Sequence, residues 1–384
     1  MASVYHDPRY RALFYQAVLL AVVAWGGYSI FSNTTDNLAR QGIASGFGFM
    51  SQPSGFGIVS HLIPYDEDSS YGSVFLVGLL NTLLLATLGI VLSTIMGLVI
   101  GVARLSRNWL VSRLAAVYVE TFRNIPLLLQ IFFWYFAVLR NLPGPRQSLI
   151  FGDILTLNNR GLYFPTPTIE SGAGLVFTAF VVAAVVASLI WIWAGRRLRD
   201  TGQTFPALSF GLGLVVILPT FSIVAGGASI SWDWPALRGF NYRGGAVMIP
   251  EFVAMLVALT AYTTAYIAEI IRAGIISVDR GQREAALSLG LRPGQTLRLV
   301  VLPLAMRVII PPLTSQYLNL IKNSSLAAAI AYPELVAVFA GTVLNQTGQA
   351  VEVIALTMTV YLTISLIISL LMNWYNARLA LVER

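Results

Sequence analysis

Five charged or amide-bearing side chains stand inside runs that are otherwise apolar: Glu120, Arg123, Gln130, Glu269 and Lys322. In hydrocarbon such groups are costly, so each must pair, face a cavity or act on something that passes. Glu120 and Arg123 are three residues apart, as are Glu269 and Arg272. That spacing puts each couple on one helical face, so each is read either as an intrahelical ion pair or as part of a transport path. Gln130 lies one turn beyond Pro126, whose ring interrupts the backbone ladder and frees carbonyls, for a pathway or for a kink alone. Lys322, the only lysine, follows Pro311-Pro312 and precedes the small-residue run "NSSLAAAIA". That combination suits an irregular membrane segment lining a cavity, with the ammonium as gate or substrate contact, or as a structural anchor. The aromatic run "FFWYF", Phe132 to Phe136, reads as an interfacial belt or helix packing.

Other chemistries are missing from the chain. There is no cysteine, and the two histidines, His6 and His61, are far apart without partner ligands, so neither a metal site nor a catalytic residue is assigned. A phosphate loop needs Gly directly before Lys, whereas Lys322 stands between Ile321 and Asn323. The chain is therefore expected neither to bind ATP nor to act as an enzyme. The formal charge of +7 is spread between apolar runs rather than gathered on one face, which argues against nucleic acid.

These residues are positioned by membrane helices. The chain is 57% hydrophobic and 11% charged, against roughly 25% charged in soluble domains. Runs near the roughly 20 residues needed to span hydrocarbon occur at Arg11–Phe31, Ser73–Ala103, Leu114–Leu139, Ala173–Ala194, Phe205–Gly227, Ile249–Arg272, Leu302–Ile321 and Val351–Trp374. They are continuously apolar rather than alternating, so the expected fold is all-α and polytopic, with about eight helices and no barrel. The first run has a basic flank but no convincing cleavage site and is kept as an anchor. With the N-terminus inside, the cytoplasmic connections collect Arg104, Arg107, Arg113, Arg196, Arg197, Arg199 and the Arg272–Arg307 cluster, together with the terminal Arg9, Arg11, Arg378 and Arg384. Both termini are then cytoplasmic, and the segments Thr34–Tyr71 and Ile150–Pro167 are external.

One cytoplasmic connection, around "EAALSLGLRPGQTLRLVVLP" (Glu284 to Pro303), has the local grammar helix, break, helix. Asp279 with Gln282 reads as a capping-box start, Gly290 as a left-handed cap, and Pro293 as the first turn of a second helix. Ala285, Ala286 and Leu289 are expected on one face, small enough to let another protein approach closely. The spacing from Glu284-Ala285-Ala286 to Gly290, and on to Leu302-Pro303, resembles the EAA loop of ABC importer permeases, with Val300 where that family usually has Ile. The stretches "ETFRNIPLLLQIFF", "YIAEIIRAGIISVDRGQREAA" and "LIKNSSLAAAIAYPEL" are similar to the polar amino acid branch of type I ABC importers. The likeness is nearest to the larger permease subunit of general L-amino-acid transporters.

The resemblance implies a five-helix core in residues 73–384, with the coupling loop at 279–303. Residues 1–72 form an anchor helix and external segment, and an insertion at about 150–248 contributes two further helices. It also implies a bacterial inner membrane location, a homologous second permease subunit, a dimer of ATPase subunits that use ATP and Mg, a periplasmic solute-binding protein and an L-amino acid substrate. No cofactor is implied for this chain, whose surroundings are membrane lipid. An ion-coupled secondary amino-acid transporter is the alternative, since broken helices and buried charges serve it too.

Overall fold

The computed structural model describes residues 8–40, 46–152, 154–169, 173–203, 205–226 and 230–379. The expectations for His6 and Arg384 lie outside the described residues. In chain order the first helices are α1 (Pro8–Arg40), α2 (Tyr71–Ala103), α3 (Trp109–Asn124) and α4 (Leu127–Phe132). The strands β1 (Leu149–Phe151), β2 (Leu155–Asn158), β3 (Gly161–Phe164) and β4 (Thr166–Ile169) lead to helices α5 (Ala173–Thr201) and α6 (Ala207–Ala225). After them come β5 (Ile230–Asp233), β6 (Ala236–Arg238), β7 (Asn241–Arg243) and β8 (Ala246–Met248). Then follow α7 (Pro250–Ile276), α8 (Arg280–Ser288), α9 (Pro293–Thr296), α10 (Leu302–Asn323), α11 (Leu344–Thr347) and α12 (Ala350–Leu379). Among the described residues, seven helical stretches are long and apolar enough to span a membrane, and the bent pair after α2 makes an eighth.

Two compact units divide the chain. The first joins Met1–Ala137 to Glu251–Arg384, and the second is Val138–Pro250, against the insertion expected at about 150–248. In the first unit α7 is the most enclosed span, 67% buried over its most apolar stretch, whereas α1 is 0% buried over its own. Close packing of α2 on α7 depends on two missing side chains. A Cβ at Gly97 would meet Ile267 Cγ2 at 2.5 Å, and one at Gly101 would meet the Ala268 carbonyl at 2.8 Å. Residues 46–70 lie over the outer part of this unit: Phe49 and Ile58 join Tyr71, Val74, Leu335 and Phe339 in one buried cluster. The Asn81 amide, in α2, fastens that segment by donating to the carbonyls of Ser60 and Pro333, both at 2.8 Å.

Two expectations are corrected here. The run Leu114–Leu139 is not one straight helix, because α3 and the stretch that starts with α4 meet at 105°. Ile125 is extended (φ −96°, ψ 126°), as the ring of a following proline requires, and Pro126 starts the new direction. Conversely, Pro311-Pro312 is no break, and α10 continues through both. Each ring removes one helical N–H, so the carbonyls of Arg307 and Val308 lose their usual donors while the turns on either side hold the axis.

The second unit also contains short strands before and after its helix pair. The order β1-β2-β3-β8 forms a four-stranded antiparallel sheet, and β4-β5 and β6-β7 form two ribbons. Strands of three or four residues are too short to show a period. The pairing of β4 with β5 (Thr166↔Asp233) clamps the base of the α5-α6 hairpin, so its two ends lie together. Gly211 lets those helices touch, since a Cβ there would stand 3.3 Å from that of Ala187. Reporter fusions after Asp200, at the arginine-rich turn, and after Trp234, beyond β5, are expected to give opposite signals in whole cells. Equal signals would remove α5-α6 as a membrane hairpin.

Candidate functional site

The segment between α7 and α10 folds as two short helices around a sharp turn. Asp279 caps α8, its Oδ1 accepting from the Gly281 amide at 2.6 Å, rather than entering a reciprocal box with Gln282. At the next helix one half of such a box is present, Gln295 Oε1 accepting from the Arg292 amide at 3.0 Å. Gly290 has φ +81°. Its N–H donates to the Leu287 carbonyl (2.9 Å) and that of Leu291 to Ala286 (3.2 Å), the paired bonds of a left-handed helix termination. Pro293 opens α9, a wide turn at Leu297–Val301 follows, and Leu302 and Pro303 begin α10.

The face expected for docking is corrected in one position. Ala286 is 3% exposed and packs inward, while Glu284, Ala285 and Leu289 remain exposed. Consecutive positions on a nine-residue helix diverge by about 100°, so two adjacent alanines do not share a direction. The segment is rigidly rooted. Val278 and Val301 join Ile267, Ile271, Ala305 and Ile309 in one buried cluster, and the Arg283 guanidinium donates to the Ile275 carbonyl at 3.0 Å.

The charged residues inside the spans assemble differently from their sequence couples. Glu269 and Arg272 do pair, at 2.6 Å. The Glu269 carboxylate also receives Arg104, from the end of α2. Glu120 does not pair with Arg123. Its carboxylate stands 3.8 Å from Arg104, and Arg123 lies over the Tyr266 ring at 5.3 Å. The competitor was invisible in the spacing, because Arg104 comes from another helix. Gln130 is 4% exposed, and its amide donates to the carbonyls of Phe122 (3.0 Å) and Ile125 (2.9 Å). It thus satisfies acceptors released at the α3-α4 bend.

Two adjoining cavities follow α7 and α10. One, about 240 Å³, is lined by Tyr262, Thr263, Tyr266, Gln316, Asn319 and Asn323, with Leu320. The other, about 320 Å³, includes Arg123, Glu269, Val308 and Pro312 and shares Tyr266 and Gln316 with the first. Hydroxyls, carboxamides, the Glu269 carboxylate and the Arg123 guanidinium therefore line a continuous strip beside otherwise apolar helices. Lys322 is exposed on the last turn of α10, where a cation suits the helix terminus, and it has no carboxylate partner among the described residues. Beyond it the chain tightens into a 3-10 turn at Ser324–Ile330, ending at Ala331 with φ +58°. The buried carboxylate of this region is Glu334, which accepts from the amides of Val336 (2.8 Å) and Ala337 (2.7 Å) and from the Tyr361 hydroxyl (3.1 Å).

Residues 193–381 match the family described as binding-protein-dependent transport system inner membrane component. The chain is 56% identical to the putative amino-acid ABC transporter permease protein YhdX of Escherichia coli, over 98% of this chain and 96% of that protein. It is 50% identical to the general L-amino acid transport system permease protein AapQ of Rhizobium johnstonii, over 100% and 95% of the two chains. The corresponding values for the glutamate/glutamine/aspartate/asparagine transport system permease protein BztB of Rhodobacter capsulatus are 40%, 100% and 97%. The chain belongs to the amino-acid ABC transporter permeases. The permease is thus a multi-pass inner membrane transport protein, and the ion-coupled alternative has no support among these relatives.

Several residues of the permease's site escaped the sequence reading. Gln316, Asn319 and Asn323 recur at i, i+3 and i+7, a polar stripe legible in an apolar helix. Tyr262 and Tyr266 repeat one turn apart and face the same cavity. Glu334 was a lone carboxylate in an apolar stretch, which is itself a signal. Arg104 was counted only for topology.

Proposed function

We propose that the permease forms one half of the path of an ATP-driven importer of L-amino acids. A homologous second permease subunit supplies the other half, and two ATPase subunits engage the exposed face of α8 around Glu284, Ala285 and Leu289. A solute-binding protein delivers substrate from the side of residues 46–70, and both termini are cytoplasmic. ATP and Mg are used by the ATPases, so the permease does no chemistry of its own. The observation that carries this reading is the α8-Gly290-α9 segment, rooted in the Ile267–Ile309 cluster and presenting a free outer face. Closure of the ATPases would pull α8, and the rooted cluster would turn that pull into a rocking of α7 and α10 about the polar strip.

An L-amino acid crossing beside that strip would exchange its hydration for the Tyr262 and Tyr266 hydroxyls, the Gln316 and Asn319 carboxamides, and the Glu269 and Arg123 charges. Neutral amides and both signs of charge on one strip fit a zwitterion with variable side chains, and the 50% identity to a general L-amino acid transport system permease supports a broad L-amino-acid range. The test is competition in proteoliposomes holding the assembled importer. Chemically diverse L-amino acids are expected to suppress uptake of labelled L-glutamate, and their D-isomers to do so at least about tenfold less well. Competition by ions or sugars, with none by L-amino acids, contradicts the reading.

A further inference from the structure

A cavity of about 1040 Å³, much larger than those along the polar strip, opens between the end of α2 and the inner side of α8. Its lining has two chemistries. Val99 and Val102, on the last turns of a membrane-spanning helix, are 63% and 51% exposed. Against them stand three arginines, Arg107 from the α2-α3 turn and Arg280 and Arg283 from α8.

Arg280, Arg283 and Leu287 recur at i, i+3 and i+7, so one face of α8 turns into the cavity while Glu284 and Ala285 take no part in its lining. None of the three arginines has a carboxylate partner among the described residues. Arg283 also keeps a buried Nε with no acceptor. Three uncompensated guanidiniums beside a lipid-facing apolar wall call for an anion that carries hydrocarbon. A free phosphate would leave the valine wall bare, and a neutral lipid would leave the charge uncompensated.

We propose that this cavity binds an anionic phospholipid, its phosphate on Arg107, Arg280 and Arg283 and its acyl chains along Val99 and Val102. The lipid then fills the space behind α8 and sets how firmly that helix is held against the rest of the chain. This requires only that α2 span the membrane, and it stands apart from the identity of the transported solute.

The full-length permease, stripped of lipid in detergent and given equal phosphatidylglycerol and phosphatidylcholine, is examined by native mass spectrometry. Phosphatidylglycerol is expected to be retained selectively. Each basic residue at an anionic surface contributes about a fivefold factor, so R107Q/R280Q/R283Q is expected to weaken retention on the order of 100-fold. R107K/R280K/R283K is expected to preserve it. If the glutamine triple does not fold, Arg107→Gln alone, at an exposed turn, is expected to show a loss of about fivefold. Undiminished phosphatidylglycerol on the folded glutamine variants, equal retention of phosphatidylcholine, or full displacement by inorganic phosphate would each overturn the proposal, the last by showing a site for the anion alone.

Discussion

Gly290→Val is expected to reduce uptake at least about tenfold while leaving membrane insertion unchanged. Gly290 sits at φ +81°, and nothing lies within 4 Å of where a Cβ would be. The effect is therefore one of backbone conformation and not of crowding. A left-handed conformation costs an L-residue about 1–2 kcal/mol, and a β-branched side chain resists it further. The chain relieves that strain by rotating φ, which breaks the two bonds from Gly290 and Leu291 to the end of α8. The direction of α9 relative to α8 then changes.

Gly290→Asn supplies the control, because asparagine tolerates the left-handed region, and it is expected to keep most of the uptake. Glu284→Lys reaches the same function through charge. Glu284 is exposed, so its reversal leaves the fold intact and is expected to abolish copurification of the ATPase together with uptake. Normal uptake and normal copurification in both Gly290→Val and Glu284→Lys would contradict the role assigned to α8.

Features decided within a few residues were the most legible in the sequence. The left-handed turn at Gly290 and the helix start at Pro293 depend on residues adjacent in the chain, and both are present in the fold. The spans were legible for a related reason, since each is a continuous run whose length is set by the bilayer. The ion pairs that failed depended on a third partner. Glu120 and Arg123 have the spacing of a pair, but Arg104 and Tyr266 take one each. Pro311-Pro312 has the composition of a break, yet the helical turns on either side carry α10 through it. Ala286 looked like part of a docking face and is instead buried on the inner side of α8. The short strands of the second unit gave no period because three or four residues are too few to show one, and the β3-β8 pairing joins residues more than eighty positions apart (Leu162↔Met248).

Energy for transport is proposed to enter the permease from outside its own chain. Its single lysine, Lys322, stands between Ile321 and Asn323 on the last turn of α10. A helical turn there presents carbonyls, whereas a phosphate loop needs converging amides and a preceding glycine. The decisive measurement is ATP-dependent uptake of a labelled L-amino acid into proteoliposomes, with the permease alone and with partners added stepwise. The account predicts no ATP hydrolysis and no ATP-stimulated uptake from the permease alone. Uptake is expected to appear only once the ATPase, second permease subunit and binding protein are present, and to vanish again when the ATPase is withheld. ATP-stimulated uptake by the purified permease with no other protein in the membrane would contradict it.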